Sequence, residues 1–332
     1  MAGANSVTSN QETLHKDLEE VVRKYARTTF LRPIAGHTRE AFAEAEEFVK
    51  KFYADCATRN ATESLTAAGN GDPEILRLRS GQAQCGVTKE SVAKNVAENG
   101  GPVPAQGRDD MVAGVTSGTS EADPGTVAGV TSGMCEAAPG PSTSSGTFTK
   151  AVILDSGCGT GESTIHIARR FPNIPVIGID KSFARLNKAG NPVQTAGEDV
   201  PRNAFWIRAE LLDFWRLALD RVKAGEWVIP YHAIYYPNPW PKQSEATRRF
   251  HMHPIFPTLL ALGGVTELRT NWEIYAREFA EAAKIVLSEC AEAEMTNKQI
   301  TCESFEPSAP ETAFERKYKD AGQKLWRVTV KR

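Results

Sequence analysis

Two hydrophobic patterns alternate along the second half of the chain. Continuous apolar runs that end near a polar residue are typical of buried strands, and they occur at Ala151–Asp155, Val176–Asp180, Ala204–Arg208, Ala233–Tyr236 and Val265–Thr270. Between these runs, apolar residues spaced three or four apart predict helices at Ser163–Arg170, Ser182–Lys188, Leu211–Val222, Phe256–Leu262 and Asn271–Leu287. Leu325–Val330 predicts a last strand, for which the antiparallel direction is one option.

Buried strands that alternate with helices predict a parallel sheet with helices on both faces. The predicted fold class is therefore α/β, with a doubly wound and mostly parallel sheet. In such a sheet the ligand binds beyond the carboxyl ends of the strands. Polar residues at those ends are the candidates for a functional site.

The N-terminal part of the chain has a helical pattern. Leu18–Tyr53 reads as one or two helices, interrupted at Arg32–Pro33. Thr38 is a candidate for the residue that caps the second helix. Apolar residues recur there at helical spacing, at Ala41, Ala45, Phe48 and Phe52. We therefore expect residues 1–53 to pack on the core through one buried helix face.

The aromatic residues are distributed unevenly. Every Trp, Tyr and Phe lies outside Ala54–Thr147, and this stretch also contains a tandem copy, Val112–Gly118 repeated as Val127–Gly133. Such a composition buries too little surface to offset the entropy lost on ordering, about 1–2 kcal/mol per residue. The sequence predicts a disordered, low-complexity insert over residues 54–148, between the N-terminal segment and a domain over residues 149–332. A regulatory or docking role for the insert stays open.

The net charge of −2 excludes a polycation that binds nucleic acid by its total charge alone. The six cysteines form no CxxC pair, so we predict free thiols. His251 and His253 have no third ligand nearby in sequence, so we predict no metal site. No apolar run reaches the roughly 18–20 residues of a membrane span, and the N-terminus has no apolar signal core. We expect a cytoplasmic or nuclear protein without membrane partners.

A glycine-rich turn follows the first predicted strand. Asp155 precedes Gly157, Gly159 and Gly161 in a G-x-G-x-G spacing, whereas the dinucleotide pattern G-x-G-x-x-G would need glycine at Glu162. The turn resembles that of class I S-adenosylmethionine (SAM) methyltransferases, which have a Rossmann-like fold. SAM carries an ammonium and a sulfonium that a nearby carboxylate favours. Asp180 and Glu210, at the next two strand ends, are placed to hold the ribose and to reach the adenine.

A proline-stiffened motif follows the fourth predicted strand. It reads Pro-Asn-Pro-Trp-Pro-Lys over Pro237–Lys242 and is followed by the basic pair Arg248–Arg249. Two further motifs lie downstream, Thr-Asn-Trp at Thr270–Trp272 and Thr-Ala-Phe-Glu at Thr312–Glu315. Together with the glycine turn, these motifs resemble the tRNA (guanine-N7-)-methyltransferase family from Ala151 to Arg332. Asn238 and Asn271 stand where well-known members carry Asp.

The resemblance implies SAM as cofactor, tRNA as substrate, a guanine of the variable loop as target and Asn238 as the catalytic residue. It implies a SAM pocket lined by Asp155, Gly157, Gly159, Gly161, Asp180, Glu210 and Asn238. It implies RNA contacts from Lys242, Asn271, Thr312, Phe314 and Glu315. Some eukaryotic members act with a WD-repeat subunit, so such a partner is compatible with the resemblance.

The chemistry of guanine N7 makes an Asn acceptable in the motif. N7 carries a free lone pair at neutral pH, so attack on the SAM methyl group needs no general base, only alignment and electrostatics. Basic residues of the C-terminal segment, with Lys242 and Arg248–Arg249, are candidates for phosphate contacts. Two other functions stay open: a SAM-dependent methyltransferase for another RNA or a protein, and a non-catalytic scaffold that binds SAM or RNA.

Overall fold

The computed structural model describes residues 11–68, 149–188, 200–289 and 300–332, all of which belong to one compact unit. The strands are β1 (Lys150–Ala151), β2 (Ile153–Ser156), β3 (Val176–Asp180), β4 (Ala204–Arg208), β5 (Trp227–Val228), β6 (Tyr231–Tyr235), β7 (Val265–Thr270), β8 (Ile300–Phe305) and β9 (Leu325–Lys331). The helices are α1 (Leu18–Ala26), α2 (Gly36–Ala68), α3 (Glu162–Arg170), α4 (Phe183–Leu186), α5 (Leu211–Lys223), α6 (Phe256–Ala261), α7 (Glu273–Glu289) and α8 (Ala313–Asp320).

The main sheet has the strand order β4-β3-β2-β6-β7-β9-β8. Its first five strands are parallel, β9 pairs antiparallel with β7, and β8 pairs antiparallel with β9. The strand order reverses direction at β2, where β3 lies on one side and β6 on the other. This is the place where a doubly wound sheet opens a crevice for a ligand. The predicted α/β class, the mostly parallel sheet and six of its seven strands are confirmed.

Strand β8 was not predicted from the sequence. Its side chains are exposed or only half-buried, because within the described part of the chain the strand lies at the edge of the sheet and has β9 as its one partner. It therefore lacks the continuous apolar run by which the buried strands were recognised. The first predicted strand is also divided, since Lys150–Ala151 pairs with Trp227–Val228 while Ile153–Ser156 joins the main sheet.

The N-terminal helices pack on the sheet domain. The chain is non-helical between Ala26 and Gly36, which includes the predicted break at Arg32–Pro33. The ring of Phe48 stacks on Phe205 of β4 with centroids 4.7 Å apart, and the ring of Phe42 lies 5.0 Å from that of Phe214 in α5. These contacts bury one face of α2 against the core, as its apolar spacing predicts.

Two sequence-based details of this region need correction. Thr38 is not the cap of α2, which begins at Gly36; its hydroxyl instead accepts a hydrogen bond from the Glu210 backbone N–H at 3.2 Å. The helix also continues past Tyr53 to Ala68, into the predicted insert. The boundary at Tyr53 marked the last aromatic residue before the insert, whereas the residues that follow, up to Ala68, are rich in Ala, the strongest helix former. The remainder of the insert, with the tandem repeat, lies outside the described residues.

Candidate active site

A cavity of about 560 Å³ opens at the carboxyl ends of the parallel strands. Its lining includes residues at or just after the ends of β2, β3, β4, β6 and β7, namely Ser156, Gly157, Asp180, Glu210, Tyr235, Tyr236 and Asn271. The loop that carries the Pro-Asn-Pro-Trp-Pro-Lys motif, Pro237–Lys242, is called the proline loop, and it adds Asn238 and Trp240 to the lining. Helix α8 adds Phe314 and Tyr318. The tertiary structure thus brings the four sequence motifs to one cavity.

The glycine turn after β2 requires a backbone that favours glycine. Gly157, Gly159 and Gly161 have φ angles of 80°, 61° and 88°, in the left-handed region where a side chain is strained. Gly157 lines the cavity, whereas Gly159 and Gly161 do not. Gly159 instead donates its N–H to Asp180 Oδ2 at 3.0 Å. This bond ties the turn to the end of β3.

Asp155 does not lie on the cavity wall, contrary to the prediction that it contacts the cofactor. Its carboxylate is 1% exposed and accepts hydrogen bonds from the hydroxyls of Ser163 and Thr164, both at 2.6 Å. Burial raises the pKa of Asp155 to about 6, although the two hydrogen bonds lower it. The residue therefore holds helix α3 beneath the glycine turn. Its side chain faces α3 because alternate residues of a strand point to opposite faces of the sheet.

Two further acidic residues line the cavity, as the sequence predicts. Asp180 accepts hydrogen bonds from the Ser182 N–H at 2.7 Å and from Gly159, so its carboxylate is held at the end of β3. Glu210 lies directly after β4, where its backbone N–H is held by Thr38. The two carboxylates therefore stand at neighbouring strand ends, on the β4 side of β2.

The proline loop that follows β6 is locally strained. Tyr236 and Trp240 have φ angles of 51° and 46°, which are uncommon for residues with a side chain and cluster at functional sites. Between them, Asn238 is exposed, and its Oδ1 accepts a hydrogen bond from the Trp240 N–H at 3.3 Å. The guanidinium of Arg248 lies over the Trp240 ring, 4.6 Å from its centroid.

The adjacent arginine has a different environment. Arg249 is 1% exposed, so it cannot make the RNA phosphate contact that the sequence predicts for the basic pair Arg248–Arg249. It donates to the carbonyl oxygens of Pro239 and Trp240, at 3.1 and 3.0 Å, and pairs with Glu278. Only Arg248 of the predicted basic pair is exposed.

The residues predicted to contact RNA fall into two groups. Lys242 is exposed beside the cavity. Asn271 lines the cavity, and its amide nitrogen donates a hydrogen bond to Gln323 Oε1 at 2.9 Å. Phe314 also lines the cavity, and 52% of its surface is exposed. Thr312 caps α8, where its hydroxyl accepts from the Glu315 N–H at 3.0 Å. Thr312 is therefore positioned to hold α8 and not to line the cavity.

Glu315 is fully buried, so the predicted RNA contact of this residue is wrong. Its carboxylate accepts hydrogen bonds from the Tyr236 hydroxyl at 3.0 Å and from Arg269 Nη1 at 3.1 Å. Burial and the neighbouring Glu315 raise the pKa of Tyr236, which stays protonated and donates to the carboxylate. Glu315 thereby connects α8 to the first strained residue of the proline loop.

Sequence reasoning missed a buried polar cluster below the cavity. Ser156 Oγ accepts a hydrogen bond from Trp215 Nε1 at 2.9 Å and lies 2.8 Å from His232 Nε2. Burial lowers the pKa of His232 to about 3, so its imidazole is neutral at physiological pH. His232 belongs to β6, just before the predicted apolar run Ala233–Tyr236, and Ser156 belongs to the glycine motif. Their contact depends on the register of β2 beside β6, which the sequence does not reveal.

Comparison with known proteins identifies the family. Residues 149–328 match the family model described as "Putative methyltransferase". The chain is 30% identical over 186 residues to the tRNA (guanine-N(7)-)-methyltransferase of Neisseria meningitidis serogroup C, a match that covers 54% of the chain and 71% of that enzyme. The enzyme of the same name from Thermotoga maritima is 27% identical over 184 residues, with 54% of each chain covered. The chain belongs to the tRNA (guanine-N7-)-methyltransferase family.

Among solved structures, the 16S rRNA methyltransferase KamB is similar at 17% identity, with a TM-score of 0.37 over 55% of this chain and 87% of KamB. The family model and the curated relatives confirm the tRNA (guanine-N7-)-methyltransferase family as the one that the four motifs resemble. Within the described ranges, no three His, Cys, Asp or Glu residues lie close enough to hold a metal ion. In the same part of the chain, no helix has the length and apolar composition to cross a bilayer.

Proposed function

We propose that this chain transfers a methyl group from SAM to guanine N7 in tRNA. One observation carries the proposal: the Gly157 turn, the carboxylates of Asp180 and Glu210, and the proline loop with Asn238 line a single cavity. The family match supports a methyl transfer, and the names of the relatives support tRNA and guanine N7.

The residues of the cavity fit SAM. Its volume of about 560 Å³ is within the range of about 300–1,000 Å³ that small-molecule sites occupy. We propose that Asp180 accepts hydrogen bonds from the ribose hydroxyls and that Glu210 accepts one from the adenine amine, since both residues line the cavity. Gly157 has no side chain, so the backbone of the turn can approach the methionine part closely. SAM supplies a methyl group that its sulfonium makes electrophilic.

The proposed reaction requires the protein to align the acceptor base but not to remove a proton from it. Guanine N7 attacks with a lone pair that is free at neutral pH, so the cavity requires no general base. Asn238 is held by the strained loop at the edge of the cavity, where it contacts the base. Rate enhancement in such a reaction comes from alignment of N7, the methyl carbon and the sulfur, and from electrostatic stabilisation of the charge that moves from sulfur to the base.

The tRNA contacts belong to the exposed residues around the cavity mouth. Lys242 and Arg248 are exposed cations at the proline loop, and Phe314 offers an exposed ring on α8. Cations of this kind bind phosphates by releasing counterions, while an aromatic ring stacks on an unpaired base. We therefore propose that the target guanine leaves its stack and enters between the proline loop and α8.

A chemical cleavage assay tests the proposed function. Purified full-length protein is incubated with methyl-labelled SAM and unmodified tRNA, which is then reduced with borohydride and cleaved with aniline at 7-methylguanosine. We expect label in the tRNA and one cleavage site, in the variable loop. Label without aniline cleavage would place the methyl group on another atom, and the absence of label from every RNA tested would overturn methyl transfer to RNA.

Two finer points remain proposals of the family resemblance. One is a WD-repeat subunit, which purification of the tagged protein from its own cells followed by mass spectrometry would reveal. The other is a cytoplasmic or nuclear location, where tRNA is available, which imaging of the tagged chain would test. Recovery of active protein without any WD-repeat chain would exclude the first point for this protein.

A further inference from the structure

The amide of Asn238 has one orientation in the structure. Its Oδ1 faces the backbone N–H of Trp240 at 3.3 Å. Because a backbone N–H can only donate, the atom that faces it must be the amide oxygen. The Nδ2 group therefore points away from the loop. Asn238 is exposed, lines the cavity and has no other hydrogen-bonding partner within the residues that the structure describes.

The loop geometry that sets this orientation is itself held from below. Trp240, whose N–H faces the side chain two residues earlier, has a strained φ angle of 46°. Arg249 fixes the same backbone by donating to the carbonyl oxygens of Pro239 and Trp240. The N–H of Trp240 is thus a fixed donor. Rotation of the Asn238 amide by 180° would place two donors against each other.

The two purines differ at the position next to N7. Guanine presents two acceptors on that edge, N7 and O6, whereas adenine presents the acceptor N7 and the donor N6 amine. A side chain beside N7 that offers only N–H groups is complementary to guanine and meets adenine donor against donor. An unpaired buried donor costs more than a hydrogen bond contributes, so the mismatch is penalised.

We propose that Asn238 is a specificity-determining residue, whose Nδ2 donates a hydrogen bond to O6 of the guanine while N7 accepts the methyl group. The proposal rests on the proposed function, since it concerns the base that enters the same cavity. In this chain Asn238 supplies a donor that the Asp of well-known family members lacks, so the proposed contact concerns this chain and not the whole family. An Asp at position 238 would have no donor for O6.

The test changes the O6 edge of the base and one side chain of the protein. Two tRNAs are prepared that carry, at the methylated position, either guanine or 2-aminopurine, which keeps N7 and the 2-amino group but has hydrogen in place of O6 and no proton on N1; the side-chain variants show whether O6 is the group that is read. The ratio of kcat/KM for the two tRNAs is measured with the wild-type protein. We expect guanine to be preferred about tenfold, the effect of one hydrogen bond together with its unpaired partner.

Variants then assign this preference to a side chain. Asn238→Ala is expected to lose most of the preference for guanine over 2-aminopurine. Asn238→Asp keeps an acceptor for the Trp240 N–H, and hence the loop, but removes the donor; it is expected to lose or reverse the preference. Asn271→Ala is the matched control, because Asn271 lines the same cavity but its amide nitrogen already donates to Gln323. This variant should keep the wild-type ratio at whatever overall activity it has.

The outcomes separate this proposal from the proposed function. An unchanged ratio in Asn238→Ala would show that the amide does not contact O6. The proposal is also overturned if that variant weakens binding of S-adenosylhomocysteine tenfold while the ratio stays the same, because the amide would then serve the cofactor. Failure of the wild-type protein to methylate the guanine tRNA would instead refute the proposed function.

Discussion

Arg249 and Glu278 form a buried ion pair, with 2.5 Å between Nη1 and Oε2 and almost no exposed surface on either side chain. The same guanidinium donates to two carbonyl oxygens of the proline loop, and the same carboxylate accepts from the backbone N–H of His15 at 2.8 Å. Gln11 also bonds to both members of the pair. The pair thus connects the loop that carries Asn238 with the N-terminal segment and α7.

Replacement of Arg249 is expected to destabilise the protein strongly. Arg249→Leu leaves the carboxylate of Glu278 buried without its cation, and removal of one member of a buried pair costs about 3–5 kcal/mol. The free energy of unfolding from urea titrations measures the loss. Arg27→Leu is the control, since Arg27 pairs with Glu289 at the surface and is 69% exposed. Equal losses in the two variants would contradict a special role for the buried pair.

The stability of the protein should depend on pH through His232. Burial lowers the pKa of this histidine to about 3, so below pH 6.5 the unfolded chain binds a proton that the folded chain does not. A state that binds more protons gains stability as the pH falls, so folding stability must decrease from pH 6.5 downward. The decrease from this one group is at most about 1.4 kcal/mol per pH unit.

Urea titrations between pH 5 and 7 measure this dependence. His232→Phe removes the titrating group and should give a flatter dependence than the wild-type chain. His37→Phe is the control, because His37 is exposed at the start of α2. If His232→Phe and the wild-type protein lose stability in parallel, the histidine is not the group that resists protonation.

Asp180 should govern cofactor affinity. Asp180→Asn keeps the size of the side chain but removes the charge that makes its hydrogen bonds to ribose hydroxyls strong, and we expect binding of S-adenosylhomocysteine to weaken about tenfold or more. Isothermal titration calorimetry measures the dissociation constant. Asp220→Asn, on the exposed side of α5, should bind like the wild-type chain. Wild-type affinity in Asp180→Asn would remove this residue from the cofactor site.

Lys242 should contribute to tRNA binding through charge. Each phosphate contact adds about one unit to the slope of log affinity against log salt concentration. Lys242→Ala is therefore expected to weaken tRNA binding and to reduce the slope by about 1, as measured by filter binding over a series of salt concentrations. Lys284→Ala changes an exposed lysine on α7 that is absent from the cavity lining. A loss of affinity in Lys242→Ala with an unchanged slope would point to a contact other than phosphate.

Much of the fold follows from local patterns. Buried strands such as Val176–Asp180 are continuous apolar runs, and their alternation with helices predicts the parallel sheet because such strands are covered on both faces. Strand β8 escapes this reasoning. It is an edge strand without a buried face, and its position depends on the hydrogen bonds that β9 offers.

The candidate site divides in a similar way. Gly157, Asp180, Glu210 and Asn238 are found from the sequence, because strand ends of one parallel sheet converge and glycine marks a left-handed turn. The places of Asp155 and Glu315 were assigned wrongly. Charge and motif position say nothing about which face of a strand or helix a side chain occupies, and both carboxylates point into the protein.

The amino-acid sequence by itself determined the α/β class, the order of the motifs and the family, since these depend on residue type and spacing. Only the tertiary structure decided that Arg249 holds a loop while Arg248 faces solvent, and that the amide oxygen of Asn238 faces the backbone N–H of Trp240. The place of Arg249 depends on its hydrogen bonds to Gln11 and Glu278, which are distant in the chain, and the orientation of the Asn238 amide depends on the conformation of the loop around it. Packing sets both, and no local pattern records them.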